Sequence, residues 1–162
     1  MVQWIGLSSH GVQTVPQPAG ATVLDDVSGV GWTDMAGRHG WGITYRGQAG
    51  AGCWFTSPLP DSELSGHRPA TLGELILRFD ALGTARVTAV ELWCGEQRLR
   101  RHDGLDLSGD QVYHRLYHPE LELTAGPVEV RSQVAFGAAG SITFLGAYGR
   151  FLTPDLPELL AA

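Results

Sequence analysis

Along most of the chain, apolar and polar residues alternate with a period of two. Val128, Val130, Val134 and Phe136 alternate with Glu129, Arg131, Gln133 and Ala135, and Ser132 falls on the apolar parity, where a hydrogen bond would satisfy it. Leu75, Leu77 and Phe79 alternate with Glu74, Arg78 and Asp80, while Ile76 stands out of phase on the polar side. Trp41, Ile43 and Tyr45 share one face between Gly40, Gly42, Thr44 and Arg46. Runs of this kind predict half-buried strands with one face on a core. Further strands are expected at 2–7, 12–15, 53–57, 86–94, 97–102, 112–118, 120–124 and 141–152.

Turn formers separate these runs: Pro16/Pro18, Gly29/Gly31, 47–52, Pro58/Pro60, Gly83, Gly95, Gly104, 108–110, Gly126-Pro127 and 137–140. Short strands punctuated at this spacing predict an all-β, antiparallel two-sheet β-sandwich, jelly-roll-like, in a single domain over 1–152. Segment 60–69 reads as a polar crossover between sheets. Residues 153–162 read as a C-terminal tail with at most a turn of helix at 157–160. No longer helix and no internal repeat is expected.

Composition narrows the chemistry. The 162 residues include 11 basic side chains, all arginine, with no lysine and no asparagine. Lysine-based Schiff chemistry and phosphate-loop lysines are therefore excluded. A net charge of -6 argues against a general nucleic-acid binder, which needs a basic stripe. The densest basic run, Arg98, Arg100, Arg101 and His102, is bracketed by Glu96, Asp103 and Asp106 and reads as a solvated strand edge. Cys53 and Cys94 sit in apolar surroundings and read as small buried thiols, with a disulfide open if their strands are neighbours. No secretory leader and no apolar span of membrane length is visible, so the expectation is a cytoplasmic protein with no membrane partner.

Three blocks carry more than generic strand and turn. They are Trp4-Ile5 with His10-Gly11-Val12-Gln13; 40–47 with 52–55 and 58–60; and 92–95 with 103–110. In this order they resemble a bacterial domain-of-unknown-function family with a W-I-H-G-x-x-V-Q opening, a G-x-G-T-x-[FY]-R-G … W-F … P-x-P middle and a D-G-L-x-L-S-G-D later part. The chain departs from that pattern in the insertion at 6–9, in Cys53 where the family often has Asn, and in Cys94 where it has Asp. The resemblance implies a β-sandwich and points to no particular activity.

Nucleophile elbows are absent, and none of the Gly-x-Gly sequences opens a helix. Asp103, Asp106 and Asp110 on a glycine-bearing loop offer hard oxygen ligands for calcium, although the same residues serve as ordinary turn formers. His114 and His118, four apart on a strand, are too far apart to share one ion. Glu91 shares a face with Val87, Ala89 and Trp93. If that face is inward, Glu91 is a buried carboxylate poised for proton transfer or paired with an arginine; if Val90 and Leu92 point inward, it is exposed. His10 and His39, beside glycines, are candidate general bases or loop anchors.

Tyr113, Arg115 and Tyr117 share one strand face, an aromatic and cationic stripe suited to a flat ligand or to cross-strand pairing. Trp32, Trp41, Tyr45 and Arg46 could extend such a surface. The leading expectation is a non-catalytic binding or assembly module for a small molecule, glycan or partner protein. Alternatives are a cyclase- or isomerase-type enzyme of bacterial secondary metabolism using Glu91 or a histidine, and a homo-oligomeric structural subunit pairing through strand edges.

Overall fold

Twelve strands are seen in a computed structural model that describes residues 2–17, 23–33, 39–59, 70–116, 122–123 and 126–154. They are β1 (Val2–His10), β2 (Val15–Pro16), β3 (Leu24–Thr33), β4 (His39–Gly47), β5 (Gly52–Leu59), β6 (Ala70–Gly83), β7 (Arg86–Cys94), β8 (Gln97–His102), β9 (Gly109–Leu116), β10 (Glu122–Leu123), β11 (Val128–Ala135) and β12 (Gly140–Pro154). Gly11–Gln13 form a 3-10 turn between β1 and β2. No helix among the described residues is long and apolar enough to cross a membrane.

All pairings are antiparallel, and they form two sheets. One has seven strands along the path β10-β6-β12-β4-β3, with β1 added beside β12 and β9 beside β6; the other has five, ordered β2-β5-β11-β7-β8. The chain crosses between sheets at β1→β2→β3, at β4→β5→β6→β7, at β8→β9 and at β10→β11→β12, the winding of a jelly-roll sandwich. Strand β12 is the spine of the larger sheet. Its first half pairs with β4, its second half with β1, and β6 runs along its other side.

Phe55, Phe136, Phe144 and Tyr45 pack between the sheets, with the Tyr45 and Phe55 centroids 4.8 Å apart and those of Phe55 and Phe144 5.0 Å apart. These separations are those of favourable tilted and edge contacts. Leu72, Leu75, Leu77 and Phe79 from β6 meet Val87, Val90, Leu92, Val128, Val130 and Val134 across the core. Cys53 and Cys94 are both free and buried, on β5 and β7 with β11 between them. Burial pushes the Cys53 thiol up to about 11, so it stays protonated at neutral pH.

Several local expectations change. Gly29 and Gly31 do not mark a turn: β3 runs through both, and Gly31 lies beneath the Trp41 ring. Residues 12–15 are not one strand but the 3-10 turn followed by the short β2, which begins at Val15. The turn presses against β12 so closely that a Cβ on Gly11 would overlap the Phe144 carbonyl. The expected hydrogen bond at Ser132 is not made; its buried Oγ finds no partner among the described residues. Between β8 and β9, the His102 and His114 rings stand perpendicular at 5.8 Å. Burial, with His102 alongside, lowers the His114 pKa below its ordinary 6.5.

Candidate functional site

Facing residues in antiparallel strands point to the same side of a sheet. The outward side of the seven-stranded sheet can therefore be read rung by rung. One rung runs His10–Gly146–Arg78–Tyr113 across β1, β12, β6 and β9, and the next runs Ser8–Tyr148–Ile76–Arg115. Gly146 leaves the middle of the first rung low, and its flanks rise on either side. A Cβ there would come within 2.8 Å of the Ser9 carbonyl oxygen, so the close approach of β1 to β12 depends on glycine.

Trp32 enters this surface from β3, over the top of β4. Its facing residue is Gly40, where an added Cβ would lie 2.8 Å from the Trp32 ring and 3.0 Å from His10 Nδ1. Glycine at 40 is what lets the indole cross its neighbour strand, and Trp32 Nε1 then donates to the Leu145 carbonyl at 2.9 Å. The Arg78 guanidinium lies between two rings, 4.4 Å from the Trp32 centroid and 4.9 Å from that of Tyr113. Such a sandwich fixes a cation in place and desolvates one or both of its faces. Arg115 Nη1 donates to Glu74 Oε1 at 3.1 Å. Tyr113 and Tyr148 remain 43% and 39% exposed.

Together these residues line a cleft of about 480 Å³ that also takes in Ser9, Leu145 and Ala147. That volume lies in the range of small-molecule sites. Of the residues named from the sequence, His10, Trp32, Tyr113 and Arg115 meet here. Tyr117 and the side chain of His39 lie outside the described residues. Arg78, Ile76 and Tyr148 were missed. Ile76, an apolar residue out of phase with its strand, was the visible sign that this outer face is not ordinary solvent-facing surface.

The other named residues fall elsewhere. Tyr45 is only 3% exposed, with its hydroxyl donating to the Thr14 carbonyl at 2.8 Å, so it is a core residue and not a ligand platform. Burial raises its pKa, with Cys53 adding to the effect. Trp41 is 64% exposed but shares the Tyr45 side of β4, opposite to Trp32. Arg46 is on the cleft's side of the sheet but at its far end, in a separate cavity with Asp25, Leu82 and Ser141.

Glu91 departs from both sequence-based alternatives. β7 and β11 slip register near Thr88, so Val87 and then Val90, Leu92 and Cys94 face the core, and Glu91 points outward. It is nevertheless 5% exposed, because the outer face of the five-stranded sheet is roofed over it. Trp93 Nε1 donates to its Oε2 at 2.8 Å, and Arg98 and Arg101 donate to its Oε1 at 3.1 and 2.9 Å. Those contacts make it the anchor of an ion cluster on the face opposite to the cleft. The Asp103–Asp110 carboxylates do not converge either: Asp103 accepts from Arg101 at 2.7 Å and Asp106 pairs with Arg86 at 3.3 Å. No group of three His, Cys, Asp or Glu side chains among the described residues is placed to hold a metal ion. The Asp103 contact also raises the Arg101 pKa.

No protein-family model matches the chain, and no curated protein matches it. Solved structures with a similar course of chain include TmCBM61 in complex with β-1,4-galactotriose, at TM-score 0.47 and 10% identity over 94% of this chain and 88% of that one. They also include the CBM22-1 xylan-binding domain of Paenibacillus barcinonensis Xyn10C, at TM-score 0.48 and 8% identity over 92% and 94% of the two chains. A cyclase from Fischerella sp. TAU in complex with 4-(1H-indol-3-yl)butan-2-one scores 0.48 at 8% identity over 92% and 91%. At these scores and identities the likenesses carry no conclusion about what this chain binds or does.

Proposed function

We propose that this protein is a non-catalytic binding module that holds a small molecule or a glycan unit in the cleft on the outer face of its seven-stranded sheet. The observation that carries the reading is Arg78 held between Trp32 and Tyr113 at the wall of a cavity of about 480 Å³. Rigid aromatic rings lose little entropy on contact, and they offer apolar surface beside fixed donors. A saccharide ring, with an apolar face and hydroxyls around its edge, matches that combination; so does a flat heteroatom-bearing small molecule. Among the described residues lining the cleft, His10 is the one histidine and none is a carboxylate, and the reading of a binding module rests on the aromatic and cationic lining.

The test is equilibrium binding to a panel of soluble oligosaccharides, comparing the native protein with Tyr113→Ala and Tyr148→Ala. Both tyrosines are partly exposed, so the variants are expected to fold. Affinity is expected to fall by about tenfold or more in each. Retained affinity in both variants would remove the cleft as the site.

A further inference from the structure

Resting on the binding reading above, we infer that the cleft selects ligands carrying a compact oxyanion, and specifically saccharides bearing a carboxylate or sulfate over their neutral counterparts. The argument is the local charge. The protein carries a net charge of -6, yet among the described residues the cleft's lining includes Arg78, Arg115 and His10 and neither Asp nor Glu. The adjoining rung adds Arg150 opposite Glu74. Over these three rungs the described residues place Arg78, Arg115 and Arg150 against Glu74 as the one carboxylate, a local excess of positive charge in an acidic molecule.

Among the described residues a further acidic neighbour, Asp80, lies on the same side one rung beyond Arg78, opposite Thr143, and does not line the cleft. Glu74 engages one terminal nitrogen of Arg115, which is 67% exposed. A guanidinium presents five donors in a planar fork, so one ion pair does not exhaust it. Arg78 is set by two aromatic rings and not left to swing on a flexible stem. A cation positioned in this way loses little freedom on accepting a planar or tetrahedral oxyanion. The rings beside it supply the surface on which the rest of the sugar would sit.

The experiment uses matched probes on the whole protein: oligogalacturonate against its fully methyl-esterified form, and a sulfated galactan against the same polymer after desulfation. At least one acidic member is expected to bind about tenfold or more tightly than its neutral counterpart. Its affinity is expected to fall as NaCl is raised from 50 to about 500 mM, whereas that of a neutral ligand stays level. Arg115→Gln, at an exposed position, should remove most of the preference without unfolding the protein, and Arg78→Gln should remove it further. The carboxylate and sulfate arms identify which oxyanion is preferred. Equal binding of both members of each pair would overturn the charge selectivity and leave the binding site standing. No binding by any of the four probes would overturn the inference that the ligand is an acidic saccharide. A neutral sugar bound in a Tyr113-dependent way would then keep the broader reading alive.

Discussion

On the five-stranded sheet, Arg131 lies 3.9 Å from the Trp93 ring centroid and Arg101 lies 5.4 Å from that of Trp54. On the seven-stranded sheet, Arg78 lies between Trp32 and Tyr113 at comparable distances. The two outer faces thus use the same residue types, but their arginines are grouped differently. Beside Trp93 they converge on carboxylates: Glu91 takes both Arg98 and Arg101, Asp103 takes Arg101, and Glu129 takes Arg131 at 3.4 Å. Charge is neutralised within the face, and the aromatic rings roof a buried acid. On the other face the arginine stacks between rings, Gly146 lowers the centre, and a cleft is left. What distinguishes the two faces in the structure is a buried acid gathering arginines on one and a cleft over Gly146 on the other.

The comparison can be broken from either side. The largest expected effect is Glu91→Ala, which leaves Trp93 Nε1 and two guanidiniums without their common acceptor. It should cost about 2–3 kcal/mol in urea unfolding while leaving ligand affinity within twofold. Gly40→Ala should act the other way round. The new methyl group must displace the Trp32 indole or His10, so ligand affinity is expected to fall about tenfold for a stability cost of about 1–2 kcal/mol. A smaller effect separates two aromatic truncations. Trp93→Ala should lower stability more than Tyr113→Ala, which is expected to cost under about 1 kcal/mol; only the tyrosine variant should lose binding.

The smallest effect concerns neither face but the seam between them. Burial lowers the His114 pKa below 6.5, with His102 alongside adding to the shift, so the folded state favours the neutral ring. Its contribution to stability is present above pH 6.5 and is lost as pH falls through the lowered value. Measured at pH 7.5 and at pH 5, the urea midpoint of His114→Leu should drop by less than that of the native protein. An equal drop in both would show that folding leaves the His114 pKa where it is in the unfolded chain.

Much of this was legible in the alternation. The runs at 75–79 and 128–136 give the strands and the inward faces of β6 and β11 as found, and Tyr113 and Arg115 share a face by parity alone. Parity failed where strands carry an extra residue: the register slip near Thr88 put Glu91 outside, while the arginines of β8 buried it again. It also could not say how far along a strand the opposing sheet reaches. Trp41 and Tyr45 lie on one face, yet one is 64% exposed and the other 3%. Trp32 was recognised as an aromatic of interest, but its strand was hidden by Gly29 and Gly31. Those glycines resemble turn punctuation in sequence and serve in the fold as flat ground for close neighbours. The meeting of Arg78 with Trp32 joins β6 to β3 across two intervening strands. No local pattern encodes a contact of that range.

The central claim is that the seven-stranded sheet's cleft, and not the arginine-rich face behind it, receives the ligand. The most direct measurement is an amide and indole N–H chemical-shift titration with whichever saccharide of the panel binds most tightly. The account predicts the largest shifts at the Trp32 indole and at the amides of Leu145, Gly146 and Ala147, with Trp54 and Trp93 unmoved. Shifts centred on Trp54 and Trp93, with Trp32 silent, would contradict it.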